Sequence, residues 1–215
     1  MQKISIIIII LLCLAPVVKG QQGDSTKDEY IFTKVELGLY LLLNSPKFSH
    51  GHPIDFGFSP SGSRFRVGVS CFGRYYLLKR FYAELQLAYS PEGGGYKSIR
   101  QTNVNYINSN FLIGYAAFER QRLRFDIHLG YSLGRLINAK TSDELFVSDE
   151  NVSAWFNSWQ SGLLIGSGIK VKVDKLHLIN LNIGLSSTLG SVIKTEPIVY
   201  QVVVPSFSLG VSRKF

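Results

Sequence analysis

The chain has 215 residues, with 23 Lys and Arg against 15 Asp and Glu for a formal charge of +8, and two cysteines. That length holds one domain, and the basic residues are spread through it rather than clustered on a helix, which with an export signal argues against nucleic acid as a partner. After Gln21 no run approaches 18 consecutive apolar residues, so no membrane-spanning helix is expected there.

Residues 1–20, MQKISIIIIILLCLAPVVKG, combine the Lys3 n-region, an apolar run from Ile6 to Leu14, and Val18 and Gly20 at the −3 and −1 positions of a cleavage site. They are read as a secretory signal peptide, removed from the mature chain. Cys13 lies within the apolar run behind leucines rather than behind a small residue, which disfavours lipidation. With the signal gone, Cys71 is the remaining cysteine and no intramolecular disulfide can form. An exported fold without disulfides needs another stabilising device. Residues 21–32 are expected to be a periplasmic N-terminal segment, and 33–215 one β-barrel domain.

Eight stretches alternate apolar and polar residues in one shared phase, apolar on odd numbers. They fall at 33–43, 64–77, 81–89, 106–118, 123–136, 159–173, 177–189 and 202–215. The clearest places Leu123, Phe125, Ile127, Leu129, Tyr131 and Leu133 on one face, with Arg124, Asp126 and His128 on the other. Period-two alternation means strands with an apolar and a polar face. The intervening gaps alternate long and short: 44–63, 90–105, 137–158 and 190–201 are rich in Pro, Gly, Ser and Asp, whereas the other three are tight turns. Long loops at one end and short turns at the other, on strands of about 10 residues, predict an all-β, eight-stranded antiparallel up-and-down transmembrane β-barrel. A soluble sandwich or lipocalin-like barrel also alternates. The signal peptide, the lack of disulfides and the placement of aromatics favour the membrane. Leu164 falls on the inner parity, so register in the sixth and seventh stretches stays open.

Inward parity gathers Glu36, Arg66, Arg74, Glu84, Arg124, Asp126 and His128 as a lumen charge network. The turn near Lys79 sets Arg74 level with Glu84, and the first loop brings Glu36 to a similar height, so Arg74 is expected between two carboxylates that offset its desolvation. This reads as a plug rather than as catalysis. His128 beside Asp126 has the makings of a general base with an orienting carboxylate, but no nucleophile is specified nearby. Tyr75, Phe81 and Phe125, with Phe215, are expected at the interface beside the short turns, and Phe65, Tyr89, Tyr131 and Trp159 at the one beside the long loops. His50 and His52 form an H-x-H pair without the further ligands a metal needs. The GGG at 93–95 lacks the Lys and Ser or Thr of a phosphate loop, and G-S-G at 166–168 lies within a strand.

The chain closes PSFSLGVSRKF, placing Phe207, Leu209, Val211 and Phe215 on the outer face as an expected signal to the barrel assembly machinery, with Arg213 snorkelling to the headgroups. Together with this segment, FYAELQLAYSPEGGG, NYINSNFLIGYAAF, RFDIHLGYSLGRL and GLLIGSGIKV resemble the PorT-like outer-membrane β-barrel family of the Bacteroidetes. The family usually carries a proline in the fourth strand, where this chain has Asn110. The resemblance implies no catalytic residues, and for one class of members a part in the machinery that exports proteins across the outer membrane. The expected function is a small outer-membrane barrel with a side-chain-filled lumen, structural or accessory, in a secretion complex. It is expected to be no enzyme and to need no cofactor or metal. The alternative is a narrow solute or anion channel, suggested by inward Lys34, Arg64, Arg66, Arg74, Arg124, Lys170, Lys172 and Lys214 against Glu36, Glu84 and Asp126. A lipid-modifying enzyme would need a Ser/His/acid set near the rim, and none stands in register. An adhesive role for the loops is also open.

Overall fold

The computed structural model describes residues 34–50, 65–96, 100–120, 122–143, 149–194 and 200–215. The expected signal peptide and N-terminal segment, His52 and Arg64 lie outside them. The strands are β1 (Val35–Asn44), β2 (Lys47–His50), β3 (Arg66–Tyr76), β4 (Phe81–Tyr96), β5 (Arg100–Arg120), β6 (Leu123–Asp143), β7 (Asp149–Asn151), β8 (Trp159–Lys172), β9 (His177–Thr188) and β10 (Tyr200–Lys214). Eight long antiparallel strands run in the order β1-β3-β4-β5-β6-β8-β9-β10, and β10 pairs with β1 to close the barrel. Closure leaves no open edge among them, which a bilayer demands because lipid offers no hydrogen bonds to an unpaired backbone.

The stagger of the barrel follows from its ladders. Stepping sideways from Asn44 leads through Ser206, Gly184, Gly166, His128, Gly114, Tyr82 and Tyr76, whose N–H donates to Lys34 O at 2.8 Å. One circuit therefore ends ten residues below its start, from 44 to 34. A slip of about 33 Å along the strand against about 38 Å around the wall tilts the strands by about 40°. At that tilt each residue climbs about 2.5 Å, so an apolar band of about 25 Å needs about ten residues. Strand β1 has ten.

Phase is shared all round. Large apolar residues exposed on the strands have odd numbers, among them Leu41, Val69, Leu87, Ile113, Leu129, Ile165, Ile183 and Val211, with Phe118 the even-numbered exception. A bulge explains Phe118: Ala117 is left without a partner between Ala116↔Asp126 and Phe118↔Phe125, which turns Phe118 outward. A second register shift, at Ile137 on β6, turns Ala139 inward. The open register in the sixth and seventh stretches resolves to Leu163↔Ser187 and Ile165↔Leu185, with Leu163 and Ile165 outward and Leu164 half-buried on the lumen side.

Three strands run further than their sequence patterns. The predicted 81–89, 106–118 and 123–136 become Phe81–Tyr96, Arg100–Arg120 and Leu123–Asp143. Much of what reads as loop is ladder: Ser90 to Tyr96 pair with Tyr106 to Arg100, and Lys140 to Ser142 pair with Asn151 to Asp149. Pro91 and the GGG were punctuation in the sequence. Pro91 nevertheless fits a strand, because the β3–β4 ladder ends at Val69↔Tyr89, and beyond it the missing N–H breaks no rung among the described residues. Above the barrel wall a small apolar cluster of Val104, Tyr106, Ala139, Val152 and Phe156 forms, with Leu136 and Ile193 packed against it. Phe156 bridges Ile193, and Val192, Val202 and Val204 form a second cluster beside Ile193. The tight β8–β9 turn is fastened by Asp174, whose Oδ1 accepts the N–H groups of Leu176 and His177, each at 2.8 Å. These bonds, and the His177 imidazole, hold the Asp174 carboxyl down to about 2.

Glycines on inward positions make room for large rings. The Tyr82 phenol fills the space a side chain on Gly114 would need, and the Tyr40 ring does the same over Gly210. Alanine in place of Gly114 gains about 0.5–1 kcal/mol of strand preference, but overpacking against the buried Tyr82 costs about 1–3 kcal/mol. A net loss of stability is therefore expected for Gly114→Ala, read as a lower urea midpoint in lipid vesicles. A raised midpoint would show that Tyr82 yields freely.

A buried charge layer at the short-turn end of the lumen

Inward charged residues from five strands meet near the short turns. The Arg74 guanidinium lies between two carboxylates: Nη1 donates to both Glu36 oxygens at 3.2 Å, Nε donates to Glu84 Oε2 at 2.8 Å, and Nη2 also reaches Glu84 Oε2. Register sets this up, because Arg74 faces Glu36 on β1 and Glu84 on β4 in the same ladder row. Glu36 continues the chain to Lys170 Nζ at 3.2 Å, Lys170 to Asp126 Oδ2 at 3.1 Å, and Asp126 Oδ1 to Arg124 Nε at 2.7 Å. The six groups alternate in sign, three acids with three bases, and none of the residues is more than 7% exposed.

Hydroxyls complete the layer. Tyr76 donates to Glu36 Oε2 at 2.5 Å and Ser212 to Glu36 Oε1 at 2.8 Å, while Lys170 also donates to the Tyr76 oxygen at 3.2 Å. Arg74 stacks 4.2 Å from the Tyr82 ring centre and Arg124 4.7 Å from that of Tyr76. A charge moved from water to this interior costs several kcal/mol unless it is paired and hydrogen-bonded, and each of the six is ion-paired here. Above the layer, uncharged polar residues hand hydrogen bonds across strands. Gln86 donates to Ser70 at 2.8 Å, Asn110 to Gln86 at 3.0 Å, and Ser132 to Asn110 at 2.6 Å. Gln86, Asn110 and Ser132 line a cavity of about 110 Å³ together with Tyr40, His128 and Leu164.

Of the residues read as a network, Glu36, Arg74, Glu84, Arg124 and Asp126 come together. Arg66 does not join them; it stands opposite Asn44 at the other end of the lumen. His128 also stands apart, facing Gly166 on the cavity wall, and Asp126 is engaged by Arg124 and Lys170 instead. Lys170, Tyr76, Tyr82 and Ser212 complete the layer and were not assigned to it. Their even numbers gave their face, but not their neighbours. The H-x-H pair is divided: His50 pairs with Tyr200 through the backbone, and His52 is outside the described residues.

The outer surface carries the aromatics as two groups. Tyr75, Phe81 and Phe125 sit beside the short turns, with the Phe81 ring tilted by 45° against that of Tyr115, centres 4.8 Å apart. Phe65 and Trp159, 80% and 58% exposed, stand at the long-loop end of β3 and β8, and Tyr89 is exposed on β4. Tyr131 lies two outward positions inside that rim, with Leu133 between it and Arg135, the partner of Trp159. On β10, Phe207, Leu209 and Val211 face outward, the Phe215 N–H donates to Val35 O at 2.8 Å, and the Arg213 guanidinium covers the Phe215 ring at 5.2 Å.

Comparison with known proteins agrees with this architecture. The chain is similar in fold to Neisserial surface protein A (15% identity, 83% of this chain and 97% of that one, TM-score 0.51). It is likewise similar to the outer membrane protein OprG of Pseudomonas aeruginosa (13%, 85% and 96%, 0.51), and to the outer membrane protein AlkL in DMPC lipid bilayers (12%, 91% and 96%, 0.50). At these identities the likeness is one of fold alone. No curated protein matches the chain. The family model of the outer membrane protein beta-barrel domain matches residues 21–194. The chain thus belongs to the outer membrane protein β-barrel domain family, and its place is the outer membrane.

Proposed function

We propose that this protein is a non-conducting, non-enzymatic outer-membrane barrel that serves as a structural or accessory component of a protein secretion complex, in the manner of the PorT-like barrels of the Bacteroidetes. Its lipid-facing band holds it in the membrane, the barrel assembly machinery inserts it, and its contribution to the complex comes from its rims and loops. The observation that supports a closed barrel is the buried layer around Glu36, Arg74 and Lys170, which fills the short-turn end of the lumen with paired charges. An eight-stranded barrel has an interior about wide enough for side chains. The inward basic excess behind the channel alternative is also reduced: three bases of this layer meet three acids, and Lys172 pairs with Glu119 at 3.0 Å.

Planar-bilayer recording tests the closed barrel. Purified protein is expected to insert without steady conductance steps, and reproducible ohmic steps would establish the channel instead. The secretion role is tested by affinity purification from the native membrane followed by mass spectrometry. Co-purifying export machinery is the expected result, and a barrel recovered alone would overturn the accessory role.

A further inference from the structure

At the long-loop end of the lumen one buried carboxylate has no cation paired with it among the described residues. Glu92 is 5% exposed, and no ion pair to it is present among the described residues. Its neighbours are neutral: the Ser90 hydroxyl, which hydrogen-bonds to it, and two amides. Asn108 Nδ2 stands 3.5 Å from Glu92 Oε1, and Gln160 Nε2 stands 3.3 and 3.4 Å from the two carboxylate oxygens. These separations are long for hydrogen bonds to a charged acceptor, which run about 2.7–2.9 Å. Both amide oxygens, Asn108 Oδ1 and Gln160 Oε1, are meanwhile buried without a partner, and Asn108 is only 9% exposed. The Tyr106 oxygen, on the residue paired with Ser90, is a further buried oxygen without a partner.

Gly134 keeps this space open. It pairs with Asn108 on one side and Gln160 on the other, and a Cβ there would strike Asn108 Oδ1 and come within 2.8 Å of Gln160 Cγ. Turning the two amides by half a turn, which exchanges their oxygen and nitrogen, brings both oxygens to the carboxylate. The oxygens are then about 3.3–3.5 Å apart. Neighbouring ligands at right angles around Ca²⁺, at about 2.4 Å from the ion, are about 3.4 Å apart; around Mg²⁺ they would be about 2.9 Å apart.

We propose that Glu92, Asn108 and Gln160 form a Ca²⁺ site at the long-loop mouth of the lumen. The ion supplies the positive charge that a buried carboxylate requires, takes the two orphaned amide oxygens as ligands, and completes its shell with water. With a single carboxylate, affinity falls in the weak range of extracellular Ca²⁺ modules, a Kd of about 0.1–1 mM. By tying β4 to β5 and β8, the bound ion staples the mouth of the barrel.

The test is calorimetric titration of the purified protein with CaCl₂ in detergent free of lipopolysaccharide, with heat-modifiable mobility confirming the fold of each variant. Wild type is expected to bind saturably, Glu92→Gln to bind at least tenfold more weakly, and Asn108→Asp, which adds a second carboxylate, about tenfold more tightly. No binding by wild type up to about 10 mM, tenfold above that affinity range, overturns the site. So does binding unchanged in folded Glu92→Gln, or MgCl₂ binding as well as CaCl₂. Should Glu92→Gln fail to fold, Asn108→Asp decides alone: tighter binding supports the site, and unchanged or weaker binding overturns it.

Discussion

Replacing Glu36 with methionine is expected to lower the unfolding free energy of the barrel by about 3–5 kcal/mol, the cost of leaving buried charges without their partner. Glu36 is the hub of the charge layer. It accepts from Arg74, Lys170, Tyr76 and Ser212, and is itself 0% exposed. Its loss leaves three bases against two acids in a space that water does not reach. Arg74 retains Glu84, but Lys170 retains only Asp126, which it shares with Arg124. The double variant Glu36→Met with Lys170→Met removes one charge of each sign and restores balance. It is expected to be more stable than Glu36→Met alone, because well-packed apolar replacement of a whole pair is often neutral. Urea unfolding in lipid vesicles measures both. Additive losses would show that Glu36 and Lys170 do not depend on one another.

The second large effect lies on the opposite face of the wall. Ile165→Arg is expected to destabilise the barrel by about 2–4 kcal/mol, as for a basic residue at the bilayer midplane on a lipid-facing strand. Ile165 is 63% exposed on β8, between Leu129 of β6 and Leu185 of β9, which are themselves outward. An arginine there has hydrocarbon on all sides and a long way to either rim. Leu164→Ser, one residue away, points into the polar cavity and is expected to cost less. Equal costs at the two positions would mean that β8 does not hold the register described here. This pair decides the very strand whose phase the alternation left open.

The contrast between Arg74 and Lys170 shows where reading the sequence stops. Arg74 and Glu84 flank a tight turn, so local spacing alone put them level, and the ladder pairs them. Lys170 meets Glu36 across 134 residues of sequence. Parity told that both point inward, yet whether they share a height depends on the ten-residue stagger of the closed barrel. No single strand carries that quantity. The bulges at Ala117 and Ile137 were illegible for a similar reason, since an unpaired residue is defined by its neighbour strand and not by its own side chain. Pro91 and the glycines 93–95 misled in the other direction. They have loop composition, but a hairpin extending past the end of the β3–β4 ladder tolerates a missing N–H on that side, and its own ladder with β5 continues.

What the sequence determined by itself was the period-two alternation, its shared phase, and the alternation of long and short gaps. Those fix strand number, barrel topology and which face meets lipid, because each is enforced residue by residue by hydrocarbon outside and polar groups inside. Only the tertiary structure decided which inward groups touch. Contacts across a lumen join strands remote in sequence, and closure with its stagger is a property of the whole ring. The Glu36–Arg74–Lys170 layer at one end and the Glu92 carboxylate among neutral partners at the other emerge at that level alone.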